Sequence, residues 1–411
     1  MNPTRCLFAA GLWAAAATVA LAQAPAQTSA PVLRAEVGKP LQAAQAAMSA
    51  QRWPDALALI GNAAQVPDLN EHERYVITRM RGAAASGAGN LDGAAAAFAP
   101  IFDDPRLLAA ERLQVARSLA GSFAQAGRRA EAITWASRAL AVQADDRDMQ
   151  LLTGQLRYQM DDMPAAAVSL QTVVDGDLRA GRVPNEVTLK MLLNTRIKAR
   201  DDAGIRATLE TIVRHHPSPE RWGDLMRQVQ RQPGFSPLLG IDALRLQGAT
   251  GGLDTAEDCE DAADEVLRAG FPVEALEVLE TAFATGLMGT SPKAARQQAL
   301  RKKVQDLAAE DRRAGVASAP TPKSPDAQAA VGYNEVLLGR SEAGLARMQQ
   351  ALANPTLRDA EHWRLRLGVA QLRAGRRAEA LATLQAVRAE DGSATLAQLW
   401  RIHAEAKKPA P

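Results

Sequence analysis

Residues 111–146 read ERLQVARSLAGSFAQAGRRAEAITWASRALAVQADD. Leu119, Ala120 and Phe123 fall on one face of a first helix. Gly127 supplies a tight turn, and Ala132, Ala136 and Ala139 form the apolar face of a second helix. The spacing predicts an antiparallel pair whose backbones approach most closely at Ala120 and Ala132. Part of the stretch returns unchanged, AGRRAEA standing at Ala126–Ala132 and again at Ala374–Ala380. The small residue at the centre of each second helix can be followed through Ala56, Ala94, Ala132, Ala166, Gly204, Ala275, Gly344 and Ala380. Most of these are separated by about 34–38 residues, the period of stacked helical hairpins. The expected fold class is therefore all-α, an α-solenoid of stacked antiparallel hairpins.

The same grid sets the expected domains. A continuous array covers 37–217. Two intervals, Gly204 to Ala275 and Ala275 to Gly344, are about twice the usual period and imply diverged units. In the first, Gly240 falls at a central position, and Trp222–Val229 with Leu238–Leu246 makes a degenerate hairpin around Pro233 and Gly234. In the second, Lys293–Arg313 reads as one long charged helix, which closes a 218–314 segment. GVASAPTPKSPD at 315–326 has little to bury and reads as a linker and subdomain boundary before a C-terminal module at 327–406. A disordered N-terminus at 23–36 and a frayed tail at 407–411 complete the layout.

Composition agrees with many thin helical layers: 47% of the 411 residues are hydrophobic but only 4% aromatic, and alanine dominates the apolar share. Basic and acidic residues number 48 and 46, a balance that argues against nucleic acid or an anionic membrane as the main partner. Residues 1–22 read as a secretory signal. Arg5 gives the positive end, Phe8–Val19 the short apolar stretch, and Ala20-Leu21-Ala22 the cleavage site before Gln23. No later segment approaches the ~20 apolar residues of a spanning helix. After cleavage Cys259 is the remaining cysteine, read as a small buried core residue.

Chemistry-bearing patterns are few. The histidines form no His-Glu-x-x-His pair, and His215-His216-Pro217 reads as a helix end whose imidazoles serve the last carbonyls. The acidic run at Glu257–Asp261, with Asp264 and Glu265, suits the N-terminal turns of a helix. The grid also points Glu257, Glu260, Asp261 and Asp264 toward the groove side of unit 255–288. Arg296, Arg301, Lys302, Lys303, Arg312 and Arg313 read as a solvated basic face. Phosphate loops and nucleophile elbows are missing, so no enzyme activity, no cofactor, no metal and no nucleic acid are expected.

The 111–146 unit resembles a tetratricopeptide repeat, as does 361–394 with Leu367, Gly368, Gly375, Ala380, Leu384 and Val387 on the pattern. The usual closing proline is replaced by Ala144. The resemblance implies a right-handed superhelix whose concave groove, lined mainly by first helices, binds extended peptides or partner helices. Carried across, the groove positions are Gln114, Arg117 and Gln125, then Leu151, Gln155, Tyr158 and Gln159, and finally His362, Val369 and Arg373. Gly121 and Gln155 stand where the asparagine of a carboxylate clamp would be, which argues against a clamp-type adaptor. The layout also resembles the exported, alanine-rich repeat proteins of Gram-negative bacteria. The expected function is a periplasmic scaffold that holds a peptide or helix of an envelope protein. The alternative is a structural or assembly factor for envelope secretion, polysaccharide export or cell-wall machinery.

Overall fold

The computed structural model describes residues 33–290, 292–314 and 324–406. Twenty α-helices span them, and among the described residues there is no strand. The signal segment and its Ala22–Gln23 cleavage site lie outside the described residues, as do 315–323 of the expected linker and the 407–411 tail. The chain forms two compact units that divide between Val142 and Gln143, inside the array expected to run unbroken from 37 to 217.

The first unit holds three hairpins: α1 (Ala35–Ser49) with α2 (Trp53–Ala64), α3 (Glu71–Gly87) with α4 (Leu91–Phe98), and α5 (Ala109–Gln125) with α6 (Arg129–Val142). Helix α1 starts at Ala35, two residues inside the expected disordered segment. The cause is a clamp on the residue before it. The Arg34 guanidinium donates to both oxygens of Glu73, from Nε at 2.9 Å and from Nη2 at 2.8 Å. Glu73 also closes the capping box of α3, accepting from the Asn70 N–H at 3.0 Å while the Asn70 side chain accepts from Glu73 N–H at 2.9 Å. The predicted crossing residues Ala56, Ala94, Ala120 and Ala132 are all 0% exposed. A Cβ added at Gly82 would come within 2.7 Å of the Phe98 ring, so this crossing also needs the missing side chain.

The second unit continues with α7 (Arg147–Gln159), α8 (Met163–Arg179), α9 (Glu186–Ala199), α10 (Asp202–His215), α11 (Pro219–Gln230) and α12 (Gly240–Thr250). Then come α13 (Ala256–Arg268), α14 (Pro272–Ala284), the long α15 (Ala294–Ala314), α16 (Pro325–Leu337) and α17 (Ser341–Leu352). It ends with α18 (Ala360–Arg373), α19 (Arg377–Gln385) and α20 (Ser393–Ala406). Gly127 and Gly375, the paired glycines of the duplicated heptapeptide, turn at φ +75° and +76°. Only glycine adopts that region without a Cβ penalty. Helices α16 and α17 cross on bare backbone, a Cβ at Gly332 falling 2.7 Å from the Gly344 carbonyl oxygen. Gly240 is not such a crossing: it opens α12 and its Cβ direction meets nothing within 4 Å.

Unlike an open solenoid, the second unit closes on itself. Helix α20 packs on α10 and α12, and Leu396, Leu399 and Trp400 share one core with Leu189, Ile212, Trp222 and Leu246. A second core joins Ala263, Leu279 and Val304 to Tyr333, Met348 and Leu367. The Ser236 N–H donates to the Asp391 carbonyl at 2.8 Å, and Arg214 pairs with Glu405 at 2.6 Å. The expected boundary at 315–326 is therefore corrected. Ser324 caps α16, Pro325 is its first residue, and the 327–406 helices are built into the cores of the preceding hairpins.

Candidate functional site

Closure of the second unit leaves a cavity of about 840 Å³. Its walls come from helices far apart in sequence. Leu244, Arg245 and Gly248 enter from α12, Cys259, Ala262 and Val266 from α13, and Glu274, Glu277, Val278 and Thr281 from α14. Val369, Leu372 and Arg373 of α18, Arg377 of α19, and Trp400, His403 and Ala404 of α20 complete it. The size lies within the ~300–1,000 Å³ of small-molecule sites, and the lining is mostly apolar, as such sites are.

A buried ionic network stands on one wall. Arg245 donates to Asp242 at 3.0 Å and to Glu274 at 2.9 Å. Arg366, 124 positions away, reaches the same Asp242 at 2.8 Å. The Tyr333 hydroxyl donates to Glu274 at 3.1 Å, and Arg373 bonds both Glu274, at 3.4 Å, and Glu277. The Arg245 guanidinium lies 4.4 Å from the centre of the Tyr333 ring. Burial opposes the Arg245 charge, but Tyr333, Glu274 and Asp242 outweigh it and hold its pKa above the ordinary arginine value. Burial likewise pushes the Tyr333 phenol up, with Arg245 opposing. The Cys259 thiol is also raised, by burial and then by Asp258 and Asp254, so it stays protonated and unreactive. Both lining glutamates are held by arginines, and among the described residues no group of three or more His, Cys, Asp or Glu could hold a metal. The arrangement suits binding.

The expected groove residues separate in the structure. Gln114, Arg117 and Gln125 are exposed on one face of α5, opposite its buried Leu119 and Phe123. Gln155 and Tyr158 are half-buried on α7, where Leu151 also stands half-buried, and Gln159 is exposed. Tyr158 is engaged by the next first helix. The Asn194 side-chain amide donates to its hydroxyl at 2.7 Å, and Lys198 Nζ lies 4.9 Å from the ring centre. Glu257, Asp261 and Asp264 are exposed on α13. Glu260 is instead covered by α15: Gln297 donates to it at 2.9 Å and Arg296 stands at 3.8 Å.

Three expectations are corrected. His362 is not a groove residue: it is 4% exposed, with Nε2 2.7 Å from Asp391. Val369 is 2% exposed, and with Arg373 it lines the cavity. The reason is that α18 is packed by α16, α17, α19 and α20, which leaves it little open face. His216 serves no helix-end carbonyl of α10; its Nε2 lies 2.8 Å from the Pro184 carbonyl oxygen in the loop before α9. Sequence reading missed Asp242, Arg245, Arg366 and Trp400. One signal was present: Asp242 and Arg245 interrupt the apolar run Ile241–Leu246 at a spacing of three, an unusual place for an unpaired charge.

No family model matches the chain, and no curated protein does. Among solved structures it is similar to the apo form of RapI, at 9% identity over 67% of this chain and 99% of that one, with a TM-score of 0.29. The C-terminal part of a TPR repeat-containing protein from Cytophaga hutchinsonii matches at 13% identity over 62% of this chain and 98% of its own, TM-score 0.28. Yeast Tom70 matches at 11% identity over 90% and 95%, TM-score 0.20. Paired helices, small residues buried where most pairs cross and left-handed glycine turns make this an all-α solenoid of antiparallel helical hairpins.

Proposed function

We propose that the chain is a protein-interaction scaffold of the periplasm, holding a peptide or helix of an envelope protein on the first-helix face of α7 and α9. The observation that carries the reading is Tyr158, fixed in place by Asn194 and Lys198 from the neighbouring first helix. An aromatic side chain already ordered before binding contributes contact area at little entropic cost, and tyrosine is prominent among residues that dominate interfaces. Next to these residues in sequence, Met160 and Ile197 remain 48% and 53% exposed. They add apolar area to a surface that is otherwise polar. The periplasmic part of the reading rests on Arg5, the apolar stretch Phe8–Val19 and the small residues Ala20 and Ala22. Among the described residues no helix is long and apolar enough to cross a membrane.

Two measurements test this. Fractionation with N-terminal mass spectrometry should find the protein in the periplasm beginning at Gln23; an intact Met1 in the cytoplasm would sink the localisation. Affinity capture from crosslinked envelopes should recover a partner from the wild type. The Tyr158→Ala/Asn194→Ala variant, whose changes are at the surface, should keep its helical circular dichroism and lose that partner. Equal recovery by both would place binding elsewhere.

A further inference from the structure

Protein interiors are close-packed, with few voids larger than a water molecule. The second unit departs from this where its two cores meet. Val369 and Trp400 of one core and Val266 and Ala282 of the other stand on the lining of the same cavity of about 840 Å³. Five aliphatic side chains from separate segments converge on it: Leu244 of α12, Leu253 beyond that helix, Val278 of α14, Leu287 beyond that one, and Leu372 of α18. All five are half-buried, so each keeps accessible hydrocarbon. The space exists partly because Gly248 and Ala249, from the glycine-rich end of α12, stand on the lining where larger side chains would fill it. The ionic groups of the wall are matched in number, Arg245, Arg373 and Arg377 against Asp254, Glu274 and Glu277. Several are already joined to one another: Arg245 to Glu274 at 2.9 Å, and Arg373 to Glu274 at 3.4 Å and to Glu277.

We propose that this cavity binds a neutral apolar molecule. A charged group carried in would stand unpaired beside hydrocarbon or compete for an ion pair already made, and both are costly. A neutral hydrocarbon body displaces water from the aliphatic walls and leaves the wall's ion pairs in place. A linear chain and a fused ring system present this same chemistry, and the volume is that of a small-molecule site. Because the lining belongs to both cores, the bound molecule joins α13 and α14 to α18 and α20 and so adds to the closure of the unit. None of the lining residues lies on α7 or α9, so the site stands independently of any protein partner there.

The test titrates the full-length mature protein with two neutral probes, decanol for a chain and N-phenylnaphthylamine for a ring system. Each is set beside charged counterparts: decanoate and decylammonium for the first, anilinonaphthalene sulfonate for the second. Calorimetry and probe fluorescence should show saturable one-site binding of at least one neutral probe, with a raised melting temperature in its presence. Its charged counterparts should bind more weakly by about tenfold or more. Which neutral probe binds tells chain from ring ligands, and either result supports the site. Gly248→Leu locates it. That residue is exposed on α12, and a Cβ there makes only an ordinary contact, 3.5 Å from Leu253 Cδ1. The variant should keep its helical circular dichroism and lose neutral-probe binding. Thr281→Trp, at an exposed lining position of α14, should do the same from another wall. Undiminished binding by both folded variants, equal or tighter binding of the charged counterparts, or no binding of either neutral probe would overturn the proposal.

Discussion

At the scale of single residues, two positions report on how the hairpins are held. Glu73 is fully buried on its side-chain atoms. The Arg34 hydrogen bond, against the cost of burial, and the Asn70 and Arg34 N–H groups bring its pKa down to about 2 from the usual 4.5. A carboxylate with a depressed folded pKa stabilises the fold above its unfolded value, and that stability is lost as pH falls toward the folded one. The protection factors of α1 and α3, exchange rates divided by the intrinsic rate at each pH, should therefore be constant above about pH 5 and fall between about pH 4.5 and 2. Glu73→Gln should show faster exchange at neutral pH and no such acid step; an unchanged step would assign it to other groups. Arg200, which ends α9 at φ +56°, occupies the left-handed position that glycine takes after α5 and α18. Arg200→Gly should relieve that strain and raise stability by about 0.5–1 kcal/mol net of the extra entropy of the unfolded chain, measured by thermal denaturation. A lower melting temperature would contradict it.

At the scale of helices, α20 decides whether the second unit behaves as an open repeat array. In such an array terminal units are lost without disturbing distant ones. Here Leu396, Leu399, Trp400 and Ile402 lie in one core with residues of α8 to α12. Each large apolar side chain fully buried contributes roughly 1.5–3 kcal/mol, so four of them rival the ~5–15 kcal/mol that a whole domain typically has. A chain ending at Gly392 should lose amide protection across α8–α12, beyond the neighbouring α19. Protection lost only at α18 and α19 would restore the nearest-neighbour picture.

The same helices show what was legible beforehand. Hairpin crossings could be read because they depend on small residues at fixed local spacing, and Ala56, Ala94, Ala132, Ala166, Ala275 and Ala380 are all fully buried. The return of α20 could not, since the Arg214–Glu405 bond joins residues 191 apart and no local period encodes it. His362 was misplaced because its phase on α18 is that of a groove position, whereas α16, α17, α19 and α20 all pack on that helix and Asp391 bonds the ring.

For the molecule as a whole, preformed helices carry two different kinds of surface. The α7–α9 face is open, polar with exposed apolar residues beside it, and suited to a protein segment. The cavity of the second unit is half-open and mostly apolar, with Arg245, Arg373 and Arg377 facing Asp254, Glu274 and Glu277 on its lining. In the cavity Glu274 and Glu277 are committed to arginines, and burial pushes the Cys259 thiol up.

The most direct measurement places a photo-crosslinking amino acid at Tyr158, and separately at exposed Glu220 on α11, and irradiates intact cells. The account predicts one dominant envelope protein crosslinked from position 158, not from 220, and competed by excess untagged protein. No crosslink at 158 above background, or the same products from both positions, would contradict the assignment of the α7–α9 face as the binding surface.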